Sequence, residues 1–122
     1  MAEHTADHSH PTRRSAVAET GHRRDLNYPE LPEPLAAPCY DNHTHLEIED
    51  GETGLSIEEH MRYAQQVGID GAITVGGDVA SSRWQVWAAN QSERLLAAVA
   101  IHPNEAPNYA RAGTLAQAIT AI

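Results

Sequence analysis

Lysine is absent from this 122-residue sequence, and its eight arginines face 17 acidic residues, for a net charge of −9 at pH 7. That balance excludes a nucleic-acid grip built from a basic surface. Residues 39–122 hold eleven acids and four arginines, so a substrate carrying phosphates has to be neutralised by a metal or by a few placed arginines. Cysteine is nearly absent as well. The single Cys39 excludes an internal disulfide and fits a reducing cytoplasm. No apolar run approaches the ~20 residues of a bilayer-spanning helix, the longest being Leu95 to Ile101. The first residues carry acids, histidines and arginines without the apolar stretch of a secretory signal. With 41% hydrophobic residues, the chain has the material for one globular domain of ordinary size.

What is present divides into two textures. Residues 1–37 are polar, rich in charge and histidine, and run into "YPELPEPLAAP", with prolines at 29, 32, 34 and 38. Such a segment favours extended backbone and reads as a flexible, disordered tail with a stiff lead-in. From residue 38 onward, short apolar runs alternate with helical patterns. "CYDNH" (39–43), "GAITVG" (71–76) and "LLAAVAI" (95–101) predict three strands. Between the first two, Ser56 and Glu59 form an S-x-x-E capping box, Ile57, Met61, Ala64 and Val67 make one apolar stripe, and Gly68 supplies the stop. Ser82 and Gln85 read as a second capping box, with Asp78 just upstream as a turn or cap residue. "HPNEAP" stops the third strand, and Leu115, Ala118, Ile119 and Ile122 share one face of a last helix capped by Thr114. The order β-α-β-α-β-α predicts an α/β fold with a parallel sheet and helices packed outside it.

Chemistry-bearing residues gather at the strand ends, where parallel α/β folds carry their sites. His43 and His45 stand two apart at the end of the first strand, so a strand continuing through Thr44 aims both imidazoles the same way. The second strand ends in Gly76, Gly77 and Asp78, and the third leads to His102 and Pro103. Plainer roles stand beside these. A surface turn accommodates His43 and His45, a cap before a proline turn accommodates His102, and helix capping accommodates Asp78. Cys39, inside a strand without positive neighbours, reads as a buried core thiol. Trp84 and Trp87 read as helix-to-sheet packing, His60 as a packed or rim residue, and His4, His8 and His10 as part of the disordered tail.

"YDNHTHLE", "YAQQVGIDGAITVGGD" and "LLAAVAIHPNEA" together resemble the opening of the TatD family of metal-dependent hydrolases, across about residues 38–122 and in the family's order. The family's D-x-H-x-H-L start falls on Asp41 to Leu46, and its A-x-G-x-H-P strand falls on the run to His102 and Pro103, with Ala100 where the family has glycine. The resemblance implies the first three βα units of a TIM (β/α)8 barrel. It implies that His43 and His45 are ligands to a divalent metal (Mg, Mn or Zn) in a site of two ions. It makes His102 a catalytic residue near the substrate phosphate and Asp41 a support to the site. The acid that follows the second histidine falls on Glu47 or Glu49.

The activity implied is hydrolysis of DNA phosphodiester bonds, with DNA as substrate partner and no membrane partner, in the cytoplasm. Metal ions can neutralise the scissile phosphate, so an acidic surface is no obstacle. A complete barrel takes roughly 250 residues, and the family's further ligands and late aspartate would lie beyond Ile122. The expectation is therefore an N-terminal, incomplete piece that is inactive alone. Two other readings stay open: an ester or amide hydrolase such as a deacylase on the same barrel, and a non-catalytic truncated fragment.

Overall fold

The computed structural model describes residues 20–25, 27–48 and 54–122. The expected disordered tail, with His4, His8 and His10, lies outside the described residues up to residue 19, as does Glu49. Residues 27–38 run without helix or strand toward the sheet. They are tied to it where the Leu35 N–H donates to the Val67 carbonyl at 3.0 Å.

The elements follow in the order β1 (Cys39–Thr44), α1 (Ile57–Gln66), β2 (Ile69–Val75), α2 (Val79–Ala89), β3 (Leu95–Ala98), α3 (Ala106–Arg111) and α4 (Leu115–Ala121). The strands form one parallel sheet in the order β1-β2-β3, as the alternation of patterns predicts. Ala72 pairs with Leu95 in the β2–β3 register, so both face the same side. On that side they meet Ile57 and Met61 from α1 and Trp84 and Ala88 from α2, with Leu46 and Trp87 packed against the cluster. Side chains alternate along a strand, so Leu96 points the other way, and it is 55% exposed. Both long helices thus cover one face, and the strands follow chain order. A doubly wound sheet reverses its strand order and carries helices on both faces; this one does neither.

The start of α1 is the expected one. The Glu59 N–H donates to the Ser56 hydroxyl at 3.1 Å, and the Ser56 N–H donates to the Glu59 carboxylate at 2.8 Å. The Ser56 backbone N–H, and then its hydroxyl, hold the Glu59 carboxyl below its ordinary value. At the other end Gly68 takes φ +88°, a conformation that strains any side chain, and its N–H donates to the Gln65 carbonyl at 3.1 Å. The Gly68 carbonyl then accepts from Cys39 at 3.0 Å, so the helix stop also holds the start of β1.

Four expectations need correction. Ser82 and Gln85 form no capping box. Helix α2 begins earlier, at Val79, and Asp78 caps it by accepting the Ser81 N–H at 2.7 Å. Ser82 and Gln85 lie inside that helix, 1% and 0% exposed, on the face turned to the sheet. Cys39 is exposed rather than buried. It opens a strand with a neighbour on one side only, next to a register shift between Cys39 and Tyr40. The third strand ends at Ala98, short of the expected Ile101, so "HPNEAP" is not its stop; α3 begins inside that segment with its proline in the first turn, where the missing N–H costs nothing. Of the stripe expected on the last helix, Ala118 is buried while Ile119 and Ile122 are exposed. Among the described residues no helix is long and apolar enough to cross a membrane.

Gly76, the residue after β2, sets how closely α2 approaches. A Cβ placed there would lie 2.7 Å from the Ser82 Cα, backbone that cannot swing aside. Gly76→Ala is expected to cost about 1–3 kcal/mol, read as a fall in the urea midpoint. Ser56→Ala is expected to cost about 0.5–2 kcal/mol at neutral pH. Because the folded-state value of Glu59 is lowered, its contribution is present above the ordinary carboxylate range and lost as pH falls through the lowered value. The deficit of Ser56→Ala should therefore shrink in acid. Urea denaturation of both proteins at neutral and acidic pH measures it.

Candidate metal centre at the strand ends

The carboxyl ends of the three strands are stitched into one rim. The Gly76 N–H donates to the Ala98 carbonyl at 2.9 Å, and the His102 N–H donates to the Gly77 carbonyl at 2.8 Å. On the other side of β2, the His45 ring reaches the Val75 carbonyl. The last residues of β1 depart from regular pairing. Asp41 stands opposite Ala72 and Thr44 opposite Thr74, so β1 carries one residue more than β2 over this span, a β-bulge. Asp41 supports it, its carboxylate accepting the His43 N–H at 3.1 Å.

This bulge changes the reason that the two imidazoles meet. Simple alternation through Thr44 does not hold. The bulge re-aims His43, and the turn after Thr44 brings His45 round to it. Their Nε2 atoms are 3.3 Å apart, and the rings stand nearly perpendicular, 72° between planes with centroids 5.1 Å apart. His45 Nδ1 lies 2.7 Å from the Val75 carbonyl oxygen. A carbonyl only accepts, so Nδ1 carries a proton, and the neutral ring keeps its lone pair on Nε2. His43 Nε2 faces that lone pair.

The donor chemistry fits a metal in part. Two nitrogen ligands at about 2.0–2.1 Å from a tetrahedral ion stand roughly 3.3–3.4 Å apart, which matches the 3.3 Å between the two Nε2 atoms. The bond from Nδ1 to a backbone carbonyl is the usual outer support that orients a ligating histidine. Among the described residues, no group of three or more His, Cys, Asp and Glu side chains is gathered around a metal position. The structure therefore brings His43 and His45 together and leaves His102 apart from them. The His102 ring is exposed on the same rim, and its Nδ1 accepts the Asn104 N–H at 3.0 Å. A neutral His102 ring therefore presents an N–H at Nε2. Asp78 is occupied in capping α2.

Sequence reasoning passed over a buried polar group under this rim. Glu47 is 6% exposed, and Thr74 and Gln85 are 0% exposed. Glu47 accepts from the Ser81 hydroxyl at 3.2 Å and from the Gln85 amide. Gln85 accepts from the Thr74 hydroxyl at 2.5 Å, and Thr74 accepts the Leu46 N–H at 3.1 Å. The available signal was a polar residue at a position whose neighbours are core: Thr74 within an apolar strand, and Gln85 between Trp84 and Ala88 on α2.

Over 66 residues, 54% of its length, this chain is 35% identical to a protein of Mycobacterium tuberculosis (strain ATCC 25618 / H37Rv) named "Uncharacterized metal-dependent hydrolase TatD". The aligned stretch covers 25% of that protein, so the chain spans about a quarter of the length of the curated relative it matches. No family model and no solved structure matches the chain. Over about half its length, then, this acidic α/β chain is similar to a TatD-like metal-dependent hydrolase.

Proposed function

We propose that this chain is the N-terminal part of a TatD-like, divalent-metal-dependent hydrolase of (β/α)8-barrel type that cuts DNA phosphodiester bonds. The observation that carries the reading is the convergence of His43 and His45 Nε2 at 3.3 Å, with His45 fixed from behind by the Val75 carbonyl. The similarity to a TatD hydrolase supports the reaction class. The one-sided parallel sheet in chain order supports the barrel, because that is how a barrel begins.

In this reading His43 and His45 hold the metal through Nε2. Bound there, a divalent ion such as Zn, Mn or Mg supplies Lewis-acid charge against a phosphoryl or ester oxygen and lowers the pKa of water. The rest falls to the chain's own groups. The Val75 carbonyl keeps the His45 proton on Nδ1, which leaves Nε2 free to ligate. Asp41 holds the bulge that turns His43 toward His45. His102, with Nδ1 engaged by Asn104, offers Nε2–H toward a substrate phosphate at the same rim. Two nitrogen donors are too few for a hydrolytic centre, so the 122 residues bind metal without turnover, and the remaining ligands come from further βα units. A cytoplasmic setting belongs to the same proposal, since a free, exposed Cys39 suits reducing conditions.

Calorimetric titration with zinc or manganese, on this chain and on the His43→Ala/His45→Ala variant, tests the proposal. Saturable binding is expected for the wild type, with a loss of about 100-fold or more in the variant. The urea midpoint is expected to fall by no more than one lost hydrogen bond, about 0.5–1.5 kcal/mol, because the His43 ring is exposed and His45 gives up only its bond to the Val75 carbonyl. DNA digestion should be absent from both. Equal binding by the two proteins, or none by the wild type, overturns the metal assignment.

A further inference from the structure

The turn that carries His45 lies over a closed circuit of buried hydrogen bonds. From Glu47 the circuit passes to the Gln85 amide, from Gln85 to the Thr74 hydroxyl, and from Thr74 to the N–H of Leu46, the residue next to Glu47. A branch leaves the second Glu47 oxygen for the Ser81 hydroxyl at 3.2 Å, and Ser81 in turn accepts the Gly77 N–H at 2.8 Å. Three elements meet here: the turn after β1, the strand β2 and the helix α2. Both Leu46 and Glu47 follow His45 directly, so the circuit fixes the backbone on the C-terminal side of that ring.

Such a group is costly to bury. A carboxylate and an amide removed from water have to satisfy every donor and acceptor, and apolar side chains of the same volume commonly pack there with equal or better stability. Packing alone therefore does not account for Glu47 and Gln85. Nor does Glu47 act on the imidazole by contact, because its nearer oxygen is 4.0 Å from His45 Nδ1 and that nitrogen already donates to Val75. What the circuit does is hold the turn in one conformation.

We propose that Glu47 and Gln85 are positioning residues for the metal-ligand pair, setting the His45 ring so that Nδ1 stays on the Val75 carbonyl and Nε2 faces His43. The proposal rests on the metal-centre reading for its functional meaning, while the ring orientation itself is measurable without metal. Two readouts keep them apart: the tautomer of His45, from imidazole nitrogen chemical shifts in the metal-free chain, and zinc affinity by calorimetry.

The informative variant is Glu47→Met/Gln85→Met, which replaces the polar pair with apolar groups of similar length. The expected result is a folded protein whose His45 loses its uniform Nδ1–H tautomer and whose zinc affinity falls about 10–100-fold. Glu47→Gln, which keeps an oxygen acceptor for one donor and offers an amide to Ser81, is expected to retain most of both. A folded double variant with the wild-type tautomer and unchanged affinity overturns the proposal. If wild type binds no zinc while the tautomer still shifts in the double variant, the positioning role stands and the metal reading fails. Should the double variant not fold, Ser81→Ala removes one bond to Glu47 and must shift the tautomer the same way. An unmoved ring there overturns the proposal.

Discussion

Thr74 and Gln85 meet where a helix crosses a strand, and the 2.5 Å hydrogen bond between them joins two side chains with no exposure to water. Breaking it would leave a buried amide and a buried hydroxyl unsatisfied, a penalty comparable to losing a large part of a core side chain. The rotation of α2 about its axis is therefore constrained by a polar contact as well as by Trp84 and Ala88. The same two residues support the turn beyond β1, through Glu47 on one side and the Leu46 N–H on the other. Helix orientation and ligand placement are thereby coupled through one pair of side chains.

Close approach is the second condition. Helix α2 lies against the end of β2 because Gly76 carries no side chain, and Ser82 uses the proximity to bond both the N–H and the carbonyl of Ala100 at 3.1 Å. The three strand ends are thus held together independently of any bound group. With that frame in place, the bulge in β1 and the Val75 carbonyl need only orient two rings. The opposite face of the sheet keeps Tyr40 and Leu96 more than half exposed. All the long helices lie on the other side, so an apolar strand face remains open to a further layer of structure.

Local signals were legible where the physics is local. The Ser56–Glu59 box, the Gly68 stop and the Asp78 cap each involve residues within three or four positions, and each forms as the sequence predicts. Misreadings arose where two local rules competed or where the partner is distant. Ser82 and Gln85 have capping-box spacing, yet that same spacing places both residues on one helix face, and burial against β2 decided their role. A proline in "HPNEAP" can stop a strand or open a helix, and here Pro107 does the second. Cys39 was misjudged because burial of a strand residue depends on which strands flank it.

By itself the sequence determined the alternation of strands and helices, the parallel sheet that follows from it, and the presence of an acid and two histidines at the end of the first strand. Periodicity and capping act over a few residues, so one chain suffices to read them. Only the tertiary structure decided that the two Nε2 atoms stand 3.3 Å apart. Plain strand alternation was the expected cause. The operating one is a bulge, a turn and a carbonyl 30 residues away. It also decided that Glu47, Thr74 and Gln85 share one buried circuit, since hydrogen bonds between residues 11 and 38 positions apart leave no period in a sequence.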